Sequence, residues 1–239
     1  AYADSKWGVI NSKGEKLGNI SYDEMIVIPD SSKNIFIVTY DVDYTNGTFK
    51  TKAINEKNEQ LFSNYQNVSA LVNYDGANNV WYDKEVLKFE KDGKYGLIDF
   101  SGKEVLAPEY DDIHTMAGIE RTLIVEKDGK VGLYTSVSKS LFDEPTYVSI
   151  EAFGKTYNDG YMFKDENGKY GIIDASGNER ISAQYTNITY QESADMYIAE
   201  KENFESDIID SNFDVELTGM LIEFNSEDGY IKIKNQDDA

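Results

Sequence analysis

The sequence predicts an all-β protein, and three observations carry that expectation. Tyr, Val, Ile, Phe and Thr favour strands, and the 239 residues hold 18 Tyr and 11 Phe, while helix-forming Ala and Leu are sparse. The 18 Gly fall mostly as turn punctuation between short apolar-alternating segments. Most telling, "KDGKYGLIDFSGKEVLAPEYDD" from Lys91 to Asp112 is largely written again as "ENGKYGIIDASGNERISAQYTN" from Glu166 to Asn187, and such self-similarity governs the fold.

The clearest shared core is an aromatic or Val, then Gly, two apolar residues and Asn or Asp. It reads "WGVIN" from Trp7, "YGLID" from Tyr95, "VGLYT" from Val131 and "YGIID" from Tyr170, with worn copies "TKAIN" from Thr51 and "SDIID" from Ser206 that lack the Gly. Six markers result, at Gly8, Lys52, Gly96, Gly132, Gly171 and Asp207, giving periods of 44, 44, 36, 39 and 36 residues. These lengths suit propeller blades better than solenoid coils. A second landmark follows 14 residues beyond the marker at Tyr22, Tyr110 and Tyr185, one residue early at Tyr65 and one late at Tyr147, with Leu221 in the sixth unit.

Within each unit the elements follow from local chemistry. A strand opened by the landmark Tyr, such as "YVSIEAF" (Tyr147 to Phe153), leads to a strongly apolar strand such as "TLIVE" (Thr122 to Glu126) or "MYIAE" (Met196 to Glu200). The Asp-Gly or Asn-Gly of "KDGK" at Lys91 and Lys127 and "ENGK" at Glu166 then signals a two-residue hairpin into the marker strand. "SKGE" at Ser12, "SGK" at Ser101 and "SGN" at Ser176 place Gly where the next turn needs positive φ. Each unit is thus a four-stranded antiparallel meander, and repeated radially such meanders make a β-propeller.

The ends sharpen the expectation. With the unit boundary set just before the landmark Tyr, the chain starts on a third and fourth strand, "KWGVIN" and "EKLGN", and stops on a first and second, "MLIEF" and "GYIKIK". The reading is therefore one domain over residues 1–239, a six-bladed propeller closed by pairing of the N- and C-terminal strands, with an open twisted stack of β-hairpin repeats as the alternative.

The residues "KWG" at Lys6, "KYG" at Lys94 and Lys169 and "KVG" at Lys130, with Pro108, Tyr110 and Asp111 completing the unit at Lys91, resemble the WG-repeat (KWG-repeat) family. That resemblance implies a repeat scaffold, mostly bacterial and often exported or envelope-associated, with no catalytic residues to carry across. The residues themselves are explained as core or turn devices: an aromatic next to a Gly on an adjacent strand fills the space the missing side chain leaves.

Composition excludes several functions. A formal charge of −21 repels nucleic acid and anionic lipid surfaces, whose affinity rests on Lys and Arg. No Cys and one His argue against disulfides and against zinc of the usual type, so no metal and no cofactor is expected. His114, beside Asp111 and Asp112, has the makings of a general base but no nucleophile signature, and reads as a strand or loop His bonded to a neighbour. "DVDYTNG" at Asp41 to Gly47 begins like a calcium loop, yet its Gly comes one place late and its twelfth position is Lys52; "KDENGK" at Lys164 and "NSEDGY" at Asn225 read as turns. The expectation is a non-enzymatic binding or scaffolding module for a protein or glycan, on or outside a bacterial cell, with a removed leader or lipid anchor ahead of Ala1. A glycan-active hydrolase using paired carboxylates is the alternative. Tyr74, Trp81 and Tyr82, in the long insertion "VNYDGANNVWYDKE", are the candidate binding residues.

Overall fold

The computed structural model describes residues 1–28, 34–136, 140–154, 156–225 and 230–234. Two compact units divide the chain, residues 1–128 with 134–140 and residues 129–133 with 141–239. Among the described residues there is no α-helix, only a 3-10 turn at Tyr157–Asp159 capped by Thr156.

The first unit opens with a hairpin of β1 (Tyr2–Ala3) and β2 (Lys6–Trp7). A four-stranded sheet follows, β3 (Glu24–Val27), β4 (Ile35–Asp43), β5 (Thr48–Asn55) and β6 (Gln60–Leu61), in sequence order. The next sheet uses β7 (Gln66–Ser69), then β10 (Val86–Lys91), β11 (Lys94–Asp99) and β12 (Glu104–Tyr110), with the separate hairpin β8 (Val72–Tyr74) and β9 (Val80–Tyr82) inserted between its first two strands. The third sheet runs β13 (Asp112–Thr115), β14 (Thr122–Lys127), β15 (Lys130–Thr135) and β16 (Ser140–Tyr147), and the boundary between the units falls within β15. In the second unit, β17 (Ser149–Ala152), β18 (Tyr161–Lys164), β19 (Tyr170–Ile173) and β20 (Glu179–Tyr185) make a fourth sheet. The fifth is β21 (Asn187–Gln191), β22 (Met196–Glu200), β23 (Ser206–Asp210), β24 (Val215–Asn225) and β25 (Tyr230–Lys234). The four-stranded meander expected from the repeat is therefore the building block.

The marker Gly is explained by its cross-strand partner. Gly96 faces Phe89 and Gly171 faces Phe163 in the strand register. A Cβ on Gly96 would come within 2.7 Å of the Phe89 ring and of the Leu106 carbonyl oxygen; on Gly171 it would meet the Phe163 ring and the Ile181 carbonyl oxygen, each at 2.5 Å. The Phe ring lies across the bare backbone and is buried there. On its other side it meets a landmark Tyr, Tyr65 on Phe89 with ring centroids 4.1 Å apart and Tyr147 on Phe163 at 4.4 Å. Where the marker is not Gly the opposite residue is smaller than Phe: Val38 faces Lys52 and Ala199 faces Asp207.

The Asn or Asp that closes the marker motif has a separate cause. Asn11, Asn55, Asp99, Asp174 and Asp210 each accept backbone N–H bonds from the second and fourth residues beyond, for instance Ser101 and Lys103 at 2.8 and 3.1 Å on Asp99. One side-chain oxygen thus folds the turn between the third and fourth strands, and Asn serves as well as Asp because only an acceptor is needed.

One expectation needs correction, and a second is met only in its coarser form. The unit boundary lies just after the landmark Tyr: β12, β16 and β20 end on Tyr110, Tyr147 and Tyr185. Tyr110 and Tyr185 pair across the sheet with the marker aromatics Tyr95 and Tyr170, as Trp7 bridges to Tyr22, so the Tyr belongs with the strand it closes. Nor is a sheet shared by the two ends found among the described residues. The hydrogen bonds of the KWG strand are used locally, because Tyr2–Ala3 folds back onto Lys6–Trp7, the Ala1 carbonyl accepts from Gly8 N and the Ala1 ammonium donates to Gly8 O, while Trp7 N bonds Tyr22 O. β25 pairs with β24, and five meanders are complete among the described residues. The turn at 226–229 and the tail at 235–239, on which the expected junction also rested, lie outside the described residues.

Candidate functional site

The β8–β9 hairpin departs from the four-strand plan, and it is firmly held. Asn73, 2% exposed, donates through Nδ2 to the carbonyls of Met116 (3.0 Å) and Ile119 (2.8 Å) and accepts at Oδ1 from the backbone N–H of Tyr74 and Gly118. Thr115 Oγ1 donates to Val72 O at 2.7 Å, and Gly118 N to Tyr74 O at 2.9 Å. All four hydrogen-bonding positions of the Asn73 amide are thus engaged, and they fasten the hairpin to the 115–119 segment.

Beside this anchor lies a cleft of about 500 Å³, within the first unit, lined by Asn73, Trp81, Tyr82, Asp83, Asp99, Ser101, Thr115, Arg121 and Ser136 among others. Trp81 and Tyr82, both half-buried, are brought together in it. Tyr74 is not: it is 59% exposed on the same hairpin and does not line the cleft. Period two puts Tyr74 at the end of β8 facing away from the neighbour that Asn73 meets, which the bare sequence of the insertion did not reveal.

Charge in the cleft is mixed. Asp83, 8% exposed, is committed to structure, accepting at Oδ1 from Glu85 N and Val86 N and at Oδ2 from Ser136 Oγ at 2.7 Å. Arg121 sits at positive φ with its carbonyl accepting from Ser136 N, and its exposed guanidinium has no ion-pair partner among the described residues. The fully buried Tyr134 hydroxyl is left without a hydrogen bond among the described residues, and burial together with the charges of Asp83 and Asp99 pushes its pKa up. The arrangement offers an aromatic face, hydroxyls and one open cation, a set suited to recognition of a polar ligand with an apolar face.

A second cluster was missed by sequence reasoning because strand register builds it. Asp112 and His114 alternate onto one face of β13, and Glu126 on β14 lies directly opposite Asp112. His114 Nδ1 is 3.6 Å from Asp112 Oδ2 and 3.5 Å from Glu126 Oε1. Lys88 holds the other Asp112 oxygen at 3.0 Å, and His114 with Lys88 keeps the Asp112 carboxyl well below the usual carboxylate range. These three side chains are those, among the described residues, whose ligand atoms gather closely enough to hold a metal ion. The calcium-like stretch does not do so: Asp43 accepts from Thr45 N and Asn46 N to make the β4–β5 turn, and Asp41 pairs with Lys50.

The Lys of KWG has a structural partner. Lys6 pairs with Asp23 and Lys94 with Asp111, in each case the Asp after the landmark Tyr, while Lys169, whose unit has Thr186 there, pairs with Glu202. Asp111 Oδ2 also accepts from Asp128 N in the next turn at 2.7 Å, tying one meander to its successor.

A search of curated proteins finds no match. Among solved structures the chain is loosely similar to KlHsv2 with loop 6CD replaced by a Gly-Ser linker (8% identity, TM-score 0.33, covering 71% of this chain and 60% of that one). It is also similar to HIRA(644-1017) (9%, TM-score 0.29, 66% and 53%) and to the WD40 beta propeller domain of Doa1 (11%, TM-score 0.28, 84% and 69%). The chain thus spans less than two thirds of the first two. The family described as WG containing repeat matches at residues 95–130 and 170–203, two stretches that hold the marker glycines Gly96 and Gly171 and the turns closed by Asp99 and Asp174. Over those two stretches the chain matches the repeat that defines the WG-repeat family.

Proposed function

We propose that this chain is a non-enzymatic binding module in which the repeats form a rigid propeller-type scaffold and the cleft beside the β8–β9 hairpin receives the ligand, a glycan or a protein segment. The carrying observation is that this hairpin is inserted between the first two strands of its four-stranded sheet, is locked by the buried Asn73, and contributes Trp81 and Tyr82 to the lining of the cleft, Tyr82 also packing against the core. Extra length in a repeat array concentrates on binding faces, and an aromatic on a rigid support binds at low entropic cost. In keeping with the family resemblance, we place the module at the surface of a bacterial cell or in its surroundings.

The test compares Trp81→Ala and Arg121→Ala with the wild-type chain on an array of soluble glycans and on purified envelope proteins. Both substitutions should weaken capture without changing the far-UV circular dichroism. Capture unchanged in both variants overturns the cleft as the site. A propeller-type scaffold of this length should show a radius of gyration of roughly 18 Å by small-angle scattering, and a markedly larger value favours an open stack of hairpins.

A further inference from the structure

We propose that Asp112, His114 and Glu126 form a three-ligand binding site for a borderline divalent transition ion of the Zn²⁺ class, with water in the fourth position. The inference is independent of the cleft.

The donor set suits such an ion. One imidazole nitrogen and two carboxylate oxygens are N and O ligands of the kind Zn²⁺ accepts, whereas Ca²⁺ and Mg²⁺ prefer oxygen alone. The two carboxylates balance the double positive charge. Geometry is the stronger point. In a tetrahedral site with metal–ligand bonds near 2.1 Å, ligand atoms stand about 3.4 Å apart. His114 Nδ1 stands 3.6 and 3.5 Å from its two carboxylate oxygens, and all three ligand atoms lie within 4.8 Å of one another. A direct N–H to carboxylate hydrogen bond would draw them to about 2.7–3.2 Å. The two distances from the imidazole are those of neighbouring ligands around such an ion.

The support is rigid. Asp112↔Glu126 and His114↔Ile124 are fixed partners in the β13–β14 ladder, and Ile113 and Val125, on the opposite face, are fully buried. Lys88 occupies Asp112 Oδ1, which orients the carboxylate and leaves Oδ2 toward the imidazole. The ligand side chains are 42–46% exposed, so an ion has open access and little desolvation to overcome.

The experiment uses the full chain stripped with chelator, titrated with ZnCl₂ alone and followed by calorimetry and by NMR of the imidazole. Since the chain holds one His, its ring resonances are unambiguous. The expected result is one equivalent of Zn²⁺ that shifts those resonances, with affinity lowered roughly tenfold or more in His114→Ala and in Glu126→Gln. Excess Mg²⁺ should not displace it. Equal Zn²⁺ affinity in wild type and His114→Ala, an imidazole that does not respond up to millimolar Zn²⁺, or competition by Mg²⁺ at similar concentration each overturns the proposal. His114 is half exposed, so the variant should melt with the wild type and report binding alone.

Discussion

Replacing Gly171 with Ala tests the account of the repeat at its narrowest point. The added Cβ would meet the Phe163 ring and the Ile181 carbonyl oxygen, both at 2.5 Å, so neither a side-chain shift nor a backbone shift alone can relieve it. Overpacking of this kind costs typically 1–3 kcal/mol, and with two obstacles the expected figure is about 3 kcal/mol. For a chain of this size that lowers the melting temperature by roughly 6–12 °C. Phe163→Ala alone should cost about 3–5 kcal/mol through loss of the buried ring. The double variant removes one obstacle and leaves the carbonyl, so its cost should fall short of the sum of the singles by about 1–2 kcal/mol, a coupling read from a double-mutant cycle in denaturant melts. Strict additivity, or a Gly171→Ala protein melting within a degree of wild type, would refute the idea that Gly is there to receive the ring.

Other expectations follow from the same contacts. Asn73→Ala removes the side-chain donor to the carbonyls of Met116 and Ile119, of which that of Met116 still accepts from Ile119 N, and should cost about 1–3 kcal/mol; hydrogen exchange should rise first at residues 72–82 and 116–119, and uniform protection there would count against the anchor. Asp210 accepts from Asp214 N and from the amide and backbone of Asn212, which lowers its pKa. A lowered folded pKa contributes stability above the unfolded value, near 4, and that contribution is lost as pH falls through the folded value. Asp210→Asn keeps the acceptor and removes the titration, so its melting temperature should drop less between pH 5 and 2 than that of wild type; parallel curves would sink this account. Lys94→Ala frees Asp111 to turn fully toward Asp128 N and should change stability only slightly, as exposed ion pairs do. A large loss by thermal melting would show that the KWG lysine does more than pair.

Much of the repeat was legible because its causes are local. Asp99 and Asp174 bond N–H groups two and four residues away, and the Asp-Gly turn at Asp92 sets the register that places Phe89 on Gly96, so both devices can be read along the chain. The loss of Gly in the worn copies was visible too, whereas its counterpart, Val38 opposite Lys52 and Ala199 opposite Asp207 in place of Phe, emerges only from the pairing. What escaped depended on contacts between segments far apart in sequence. Asn73 finds Ile119 across 46 residues, and Glu126 meets Asp112 only through a register that the irregular turn at 116–121 conceals. The boundary was misplaced by a residue or two because a Tyr at the edge of a strand fits equally well as its end or as the next beginning, and only the pairing of Tyr110 with Tyr95 decides. The pairing of Tyr2 and Ala3 with Lys6 and Trp7 was not legible either, because no Gly marks its turn in the sequence.

The turn oxygen that closes the marker motif has a wider consequence. Because Asn11 and Asn55 perform the task of Asp99, Asp174 and Asp210 with no formal charge, the topology is indifferent to how many of these positions carry one. Electrical character can therefore drift or be engineered, site by site, with the architecture held constant. A neutralised version would be a direct way to ask whether the strongly anionic exterior serves colloidal behaviour or the choice of partner.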